Sequence, residues 1–189
     1  MNYAKIKTVD IANGTGVRVS LFVSGCNNNC QGCFNKEAQD FNYGFNYTKE
    51  TEKSILESLS PNYIEGLSLL GGEPFEIRNQ EVVLDLVKKV KKEYPNKNIW
   101  CYSGFTIEEL LNRRNNITDQ LLKNIDVLVD GRFIENLKDP SLEFRGSTNQ
   151  RIININEYFK RLEKQNLITS QNKYTFLKNQ TIEEDEPEM

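Results

Sequence analysis

The sequence predicts an α/β fold in which a parallel sheet carries flanking helices, the sheet forming an incomplete barrel. Three observations lead there. Short apolar runs alternate with helical patterns about four times along the chain, which is the rhythm of strand–loop–helix units on a parallel sheet. Glycine and polar residues recur just after the apolar runs, at Cys26, Gly71, Gly104 and Asp130, so the carboxyl ends of four strands are marked, where α/β sheets and barrels hold their ligands. The chain has 189 residues, short of the roughly 250 of a complete eightfold barrel.

Residues 3–9 alternate weakly and suit a first edge strand. Asn13-Gly14 marks a turn, since both residues accept positive φ, and the turn is either a plain hairpin or a loop approaching the site. Arg18–Val23 is a strand that leads into Cys26, and Phe34–Tyr47 reads as loop. Over Thr48–Leu59 an apolar stripe of Ile55, Leu56 and Leu59 predicts a helix capped by Thr48 and broken at Pro61. Gly66–Leu70 is a strand ending in Gly71-Gly72-Glu73-Pro74. Glu81–Tyr94 places Val83, Leu86, Val87 and Val90 on one face and Lys88, Lys89, Lys91 and Lys92 mostly on the other, so the lysines are expected to be solvated. Asn98–Tyr102 is a strand, Thr106–Glu109 matches a capping box opening a helix over Ile107–Arg113, and Thr118–Asn124 suits a second short helix. Ile125–Val129 is a further strand and Ile152–Ile155 a last one, followed by a polar helix over Asn156–Asn166. The acidic run Glu183–Glu188 has nothing apolar to bury and is expected to be disordered. We expect one domain over residues 1–157 and a polar extension over 158–189.

Composition narrows the chemistry. The formal net charge of -3 gives no reason to expect nucleic acid. No apolar run approaches a membrane span, and Met1-Asn-Tyr-Ala-Lys is no signal peptide, so the expected compartment is the cytoplasm. Histidine is absent, which removes the Ser-His-Asp and Cys-His arrangements and the usual nitrogen ligand of zinc. What remains is thiolates, carboxylates, backbone groups and borrowed cofactors.

Three of the four cysteines, Cys26, Cys30 and Cys33, fall within eight residues. Clustered cytoplasmic cysteines bind metal or do redox chemistry more often than they form disulfides. Two readings stay open on the residues alone. One is a zinc site completed by Cys101. The other is a four-iron, four-sulfur cluster on three thiolates, one iron keeping open coordination.

The spacing Cys-x3-Cys-x2-Cys after a first strand, with Gly71-Gly72-Glu73-Pro74 after the next, resembles the radical S-adenosylmethionine (SAM) superfamily. Within it, Asp10-x-x-Asn13-Gly14-x-Gly16-x-Arg18, Asp126–Gly131 and Arg145-Gly146-Ser147-x-Asn149-Gln150-Arg151 are similar to the activating proteins of anaerobic ribonucleoside-triphosphate reductases. The likeness covers residues 5–155. It implies a [4Fe-4S] cluster on Cys26, Cys30 and Cys33, reductive cleavage of SAM at the open iron, and a glycyl radical on the large subunit of the reductase. It implies SAM contacts at Gly32, Cys33, Phe34, Gly71, Gly72 and Glu73. Asp130, Arg132, Arg145 and Arg151 are candidate contacts to SAM or partner, with a plain ion pair or a solvated role as the alternative. A one-electron donor such as a flavodoxin or ferredoxin is implied. The other functions considered are activation of a formate-lyase type glycyl-radical enzyme and a non-catalytic cysteine-bound zinc or iron–sulfur module that binds a partner.

Overall fold

A computed structural model of the chain describes residues 1–165. The elements are β1 (Asn2–Asp10), β2 (Val17–Val23), β3 (Phe45–Asn46), α1 (Lys49–Leu59), β4 (Ile64–Gly71), α2 (Ile77–Glu93), β5 (Asn98–Tyr102), α3 (Ile107–Asn112), α4 (Asn116–Asn124), β6 (Val127–Asp130) and β7 (Arg151–Asn154). The unit Met1–Ile155 holds all of them. Residues 155–165 are helical, and the acidic run 183–188 lies outside the described residues.

The strands form one seven-stranded sheet in the order β3-β1-β2-β4-β5-β6-β7, which does not close on itself. Its centre, β2-β4-β5-β6, is parallel. The expectation of a parallel sheet throughout needs correcting at both edges, where β1, β3 and β7 pair antiparallel. A two-way hairpin explains one edge: the Asn13-Gly14 turn is short enough only for antiparallel neighbours. β1 is therefore not the edge strand, because β3, inside the stretch read as loop, pairs outside it.

Side-chain alternation divides this sheet into two faces with different tasks. Leu67 and Leu69 of β4, Ile99 and Cys101 of β5, and Leu128 of β6 are all fully buried. With Val19 and Leu21 they form the layer toward the helices. Ile55 and Leu59 of α1, Val83, Leu86, Val87 and Val90 of α2, Ile107 and Leu110 of α3, and Leu121 and Leu122 of α4 cover it. Each such side chain contributes about 1.5–3 kcal/mol when fully buried. The alternate positions Ser68, Leu70, Trp100 and Tyr102 face the other way, and Leu70 and Tyr102 line a cavity.

Local chemistry sets the helix ends. Thr48 accepts from the Thr51 amide and Thr106 from the Glu109 amide, each within a capping box. Asn115 caps α4 two residues ahead of the sequence-based start, accepting from Ile117 and Thr118. α2 begins at Ile77, four residues earlier than its apolar stripe suggests, behind Glu76, which makes no side-chain cap bond. Its lysines are not simply solvated: Lys89 pairs with Glu52, Lys91 with Asp126, and Lys88 donates to Gln120.

A candidate iron–sulfur and cofactor site at the carboxyl ends of the strands

The ends of β2, β4 and β5 meet around a cavity of about 500 Å³, within the range of cofactor pockets. Cys26, Cys30 and Cys33 line one side, with Phe34 beside them. Gly71, Gly72 and Glu73 form the adjoining wall and Ser103-Gly104 the next. Ala12 and Asn13, from the β1–β2 turn, reach it from below, so this turn is both a hairpin and part of the site. Lys138, Phe144, Arg145 and Gln150 close the far side.

The backbone of the cysteine loop is tied to the glycine turn. Gly72 donates to Val23 at 2.7 Å and Glu73 to Gly25 at 2.9 Å. A side chain at Gly72 would stand 2.6 Å from the Gly25 carbonyl oxygen and 2.8 Å from that of Ala38, so only glycine allows this approach. Asn79, buried in the first turn of α2, donates to the carbonyls of Ser24 (3.0 Å) and Glu73 (3.1 Å). Sequence reasoning missed Asn79, which lies two residues before the helix read over Glu81–Tyr94.

Glu73 is the hub of the site. Its carboxylate, fully buried, accepts from the Phe75 amide (3.0 Å), the Ser103 hydroxyl (2.9 Å), the Gly104 amide (2.7 Å) and the Asn28 side chain (3.2 Å). One carboxylate thus joins the cysteine loop to the ends of β4 and β5. Burial pushes its pKa up to about 7 against the pull of the Phe75 and Gly104 amides and the Ser103 hydroxyl. Asn28 and Ser103 are further site residues that the sequence did not single out.

The four arginine and aspartate candidates part company. Asp130 lies on the helix face of β6, fully buried, where it accepts from the Ile107 amide at the start of α3 (2.8 Å) and is gripped by Arg151. Arg151 also binds Glu108 at 2.7 Å. Asp130 thus forms an ion pair, with Arg151 and not with its neighbour Arg132. Neither Asp130, Arg132 nor Arg151 lines the cavity; Arg145 does. Its Nη1 donates to the Gln150 carbonyl at 3.0 Å, while its buried Nε has no protein partner. An unpaired buried donor costs about 1–3 kcal/mol.

Cys101 is fully buried on the helix face of β5, one residue away from the cavity-facing Tyr102. It cannot complete a site with the other three. None of the four cysteines is in a disulfide. Among the described residues no group of three or more His, Cys, Asp or Glu side chains closes on a point as a single ion requires. The donor set suits a cluster: three half-buried thiols line one cavity, all soft ligands, beside a turn that only glycine can make. Burial pushes the Cys26 thiol up to about 12 and raises Cys30 as well. A bound metal's charge would be what holds the sulfurs of Cys26 and Cys30 as thiolates.

An α/β sheet that gathers three thiols and a glycine turn at its strand ends defines a single-cluster iron–sulfur protein, and residues 12–153 match the 4Fe-4S single cluster domain family. The chain is 43% identical over 160 residues to the anaerobic ribonucleoside-triphosphate reductase-activating protein of Pasteurella multocida, covering 84% of this chain and 100% of that one. It is 46% identical to the protein of that name from Vibrio cholerae, over 80% and 97% of the two chains, and 40% identical to that of Enterobacteria phage T4, over 80% and 93%. The chain belongs to the family of anaerobic ribonucleoside-triphosphate reductase-activating proteins. No helix among the described residues is long and apolar enough to cross a membrane.

Proposed function

We propose that the chain activates an anaerobic ribonucleoside-triphosphate reductase: Cys26, Cys30 and Cys33 hold a [4Fe-4S] cluster, SAM binds in the adjoining cavity, and a glycine of the reductase's large subunit loses its Cα hydrogen there. The observation that carries this is the shared cavity: three thiols line it together with the Gly71–Glu73 turn. When bound, a cluster with one iron free of protein ligands supplies the one-electron reductive cleavage of SAM. A flavodoxin or ferredoxin is the class of donor suited to provide that electron. The open sheet is read as a partial barrel whose missing strands admit a protein substrate, and residues 1–157 as the domain that carries the activity.

The chain's own residues bind, orient and shield. Glu73 already accepts four donors, about the capacity of a carboxylate. Its role toward the SAM ammonium is to fix the backbone at Gly71 and Gly72, whose carbonyls then face the amine. Arg145, a cation on the cavity wall, takes the SAM carboxylate. Cys33 and Phe34 border the adenine, while Gly32, which does not line the cavity, shapes the turn between them and Cys30; the Phe34 ring packs against Phe133 with 5.3 Å between centroids. Phe144, held edge-on against Trp100 at 5.3 Å, keeps water from the far side of the cavity. No general base is required, which agrees with a chain that has no histidine.

Anaerobic reconstitution with iron and sulfide tests the reading. The expected result is a brown protein that, once reduced, yields 5′-deoxyadenosine from SAM and a glycyl-radical electron paramagnetic resonance signal when mixed with the reductase. Cys30→Ser loses the cluster and Cys101→Ser keeps it. A colourless protein with one tightly held zinc that depends on Cys101 overturns the reading.

A further inference from the structure

We propose that Glu135 is a positioning residue for the cluster loop: its carboxylate fills the space of a side chain at position 32 and seats a negative charge between the second and third cysteines. The inference rests on the cluster reading of Cys26, Cys30 and Cys33.

Gly32 has φ +71, a left-handed conformation that suits glycine, and a Cβ built there would overlap the Glu135 carboxylate. Glu135 comes from the strap that follows β6, where Glu135–Leu137 make one 3-10 turn. This strap lies along the loop at several points. Gln31 shares a cleft of about 180 Å³ with Phe133, Ile134, Glu135 and Asn136. The Phe133 ring meets Phe34, and the Lys138 ammonium sits 5.2 Å from the centre of the Phe34 ring.

The other side of the strap is anchored. Ile134 donates to the Ser147 hydroxyl at 3.2 Å, Lys138 bridges to Ser147, and Thr148 donates to the Leu137 carbonyl at 2.9 Å. The backbone that carries Glu135 is therefore fixed, and its exposed side chain reaches from it to Gly32. Glu135 is in none of the ion pairs among the described residues, and the nearby Arg132 guanidinium is the cation that acts on Cys30.

Two consequences follow. The Cys30–Cys33 turn needs both a glycine at 32 and the carboxylate that packs against it. A negative charge next to the ligands disfavours adding an electron, because cluster potentials respond to local charge, hydrogen bonds to sulfur and exposure.

The test uses the full-length protein reconstituted anaerobically, with iron content and midpoint potential as readouts. Wild type is expected to show one reversible one-electron couple. Glu135→Gln, which keeps the shape and removes the charge, is expected to hold the same iron at a more positive potential. Gly32→Ala is expected to lower iron content, and to lower it less when combined with Glu135→Ala. An unchanged potential in Glu135→Gln, or losses in Gly32→Ala and Glu135→Ala that simply add, overturns this inference and leaves the cluster reading standing. A wild type without a cluster overturns both.

Discussion

At the amino ends of the central strands Arg18 is fully buried, and at their carboxyl ends so is Glu73. Arg18 donates to the Ser68 hydroxyl (2.7 Å) and to the carbonyls of Thr15 (3.0 Å), Leu67 (2.9 Å) and Asn98 (3.1 Å). Glu73 accepts from two amides, a hydroxyl and an amide side chain. Neither hydrogen-bonds an opposite charge. Each is a buried ion held by neutral groups from several segments, and burial drives each toward neutrality: Arg18 falls to about 10 and Glu73 rises to about 7. The difference lies in what they hold. Arg18 joins β4, the start of β5 and the hairpin turn, all sheet framework. Glu73 joins the loops that line the cavity. The same device secures the fold at one end and shapes the site at the other.

Exchanging the two readouts is the strongest test of this division. Arg18→Ala leaves four acceptors short of a donor and opens a void beside Trp100, whose ring centre lies 5.6 Å from the guanidinium. The expected cost is about 3–5 kcal/mol in chemical denaturation. Cys30→Ser, on a half-buried loop, is expected to abolish cluster assembly while moving the stability of the metal-free protein by less than about 0.5 kcal/mol. If Arg18→Ala left stability untouched, or Cys30→Ser lowered it as much, the division would fail.

Glu73→Gln sharpens the comparison through pH. The folded pKa of Glu73 is raised to about 7 from an ordinary 4.5, so between these values the folded state keeps a proton that the unfolded chain has lost. Stability therefore falls as pH rises through that window and levels off above it. The full span corresponds to at most about 3 kcal/mol. Metal-free wild type should show this decline in urea melts taken from pH 4.5 to 7.5, and Glu73→Gln should lack it. Parallel curves for the two proteins would mean that the carboxylate is ionised throughout.

How much of this was legible in the sequence follows the distance between partners. The three cysteines and the Gly71–Glu73 turn are local patterns, and the apolar runs before them located β2, β4 and β5 nearly to the residue. Thr48 and Thr106 caps are equally local. Pairing direction is not: nothing in Arg151–Asn154 says that it runs antiparallel to β6. Arg18 meets Ser68 and Asn98 across 50 and 80 residues of chain, and no spacing rule reaches so far. Asp130 looked like a candidate site residue because it stands at a strand end, and Cys101, read as an ordinary strand-end residue, entered only as the fourth ligand of the zinc alternative. Alternation turns both onto the helix face, and the phase of that alternation becomes certain only when the register is known.

The smallest expected effect concerns Asn28, the one partner of Glu73 that belongs to the cysteine loop. Its side chain reaches Glu73 at 3.2 Å and stands where a side chain on Gly104 would have to go. Asn28 is only half-buried, so in Asn28→Ala water can take its place, and the stability loss should be about 0.5–1.5 kcal/mol, that of one hydrogen bond. The carboxylate keeps three donors and holds β4 to β5 as before. What changes is the tether between those strands and the segment from Cys26 to Cys30. Reconstituted Asn28→Ala is therefore expected to carry wild-type iron but to lose it faster to a chelator, with a raised KM for SAM and little change in kcat. A variant that lost iron at the wild-type rate would show that the loop is held without Glu73, by Asn79, the main-chain bonds and the Asn27 amide on the Glu76 carboxylate (2.9 Å), and Glu73 would then stand with Arg18 as a purely structural ion.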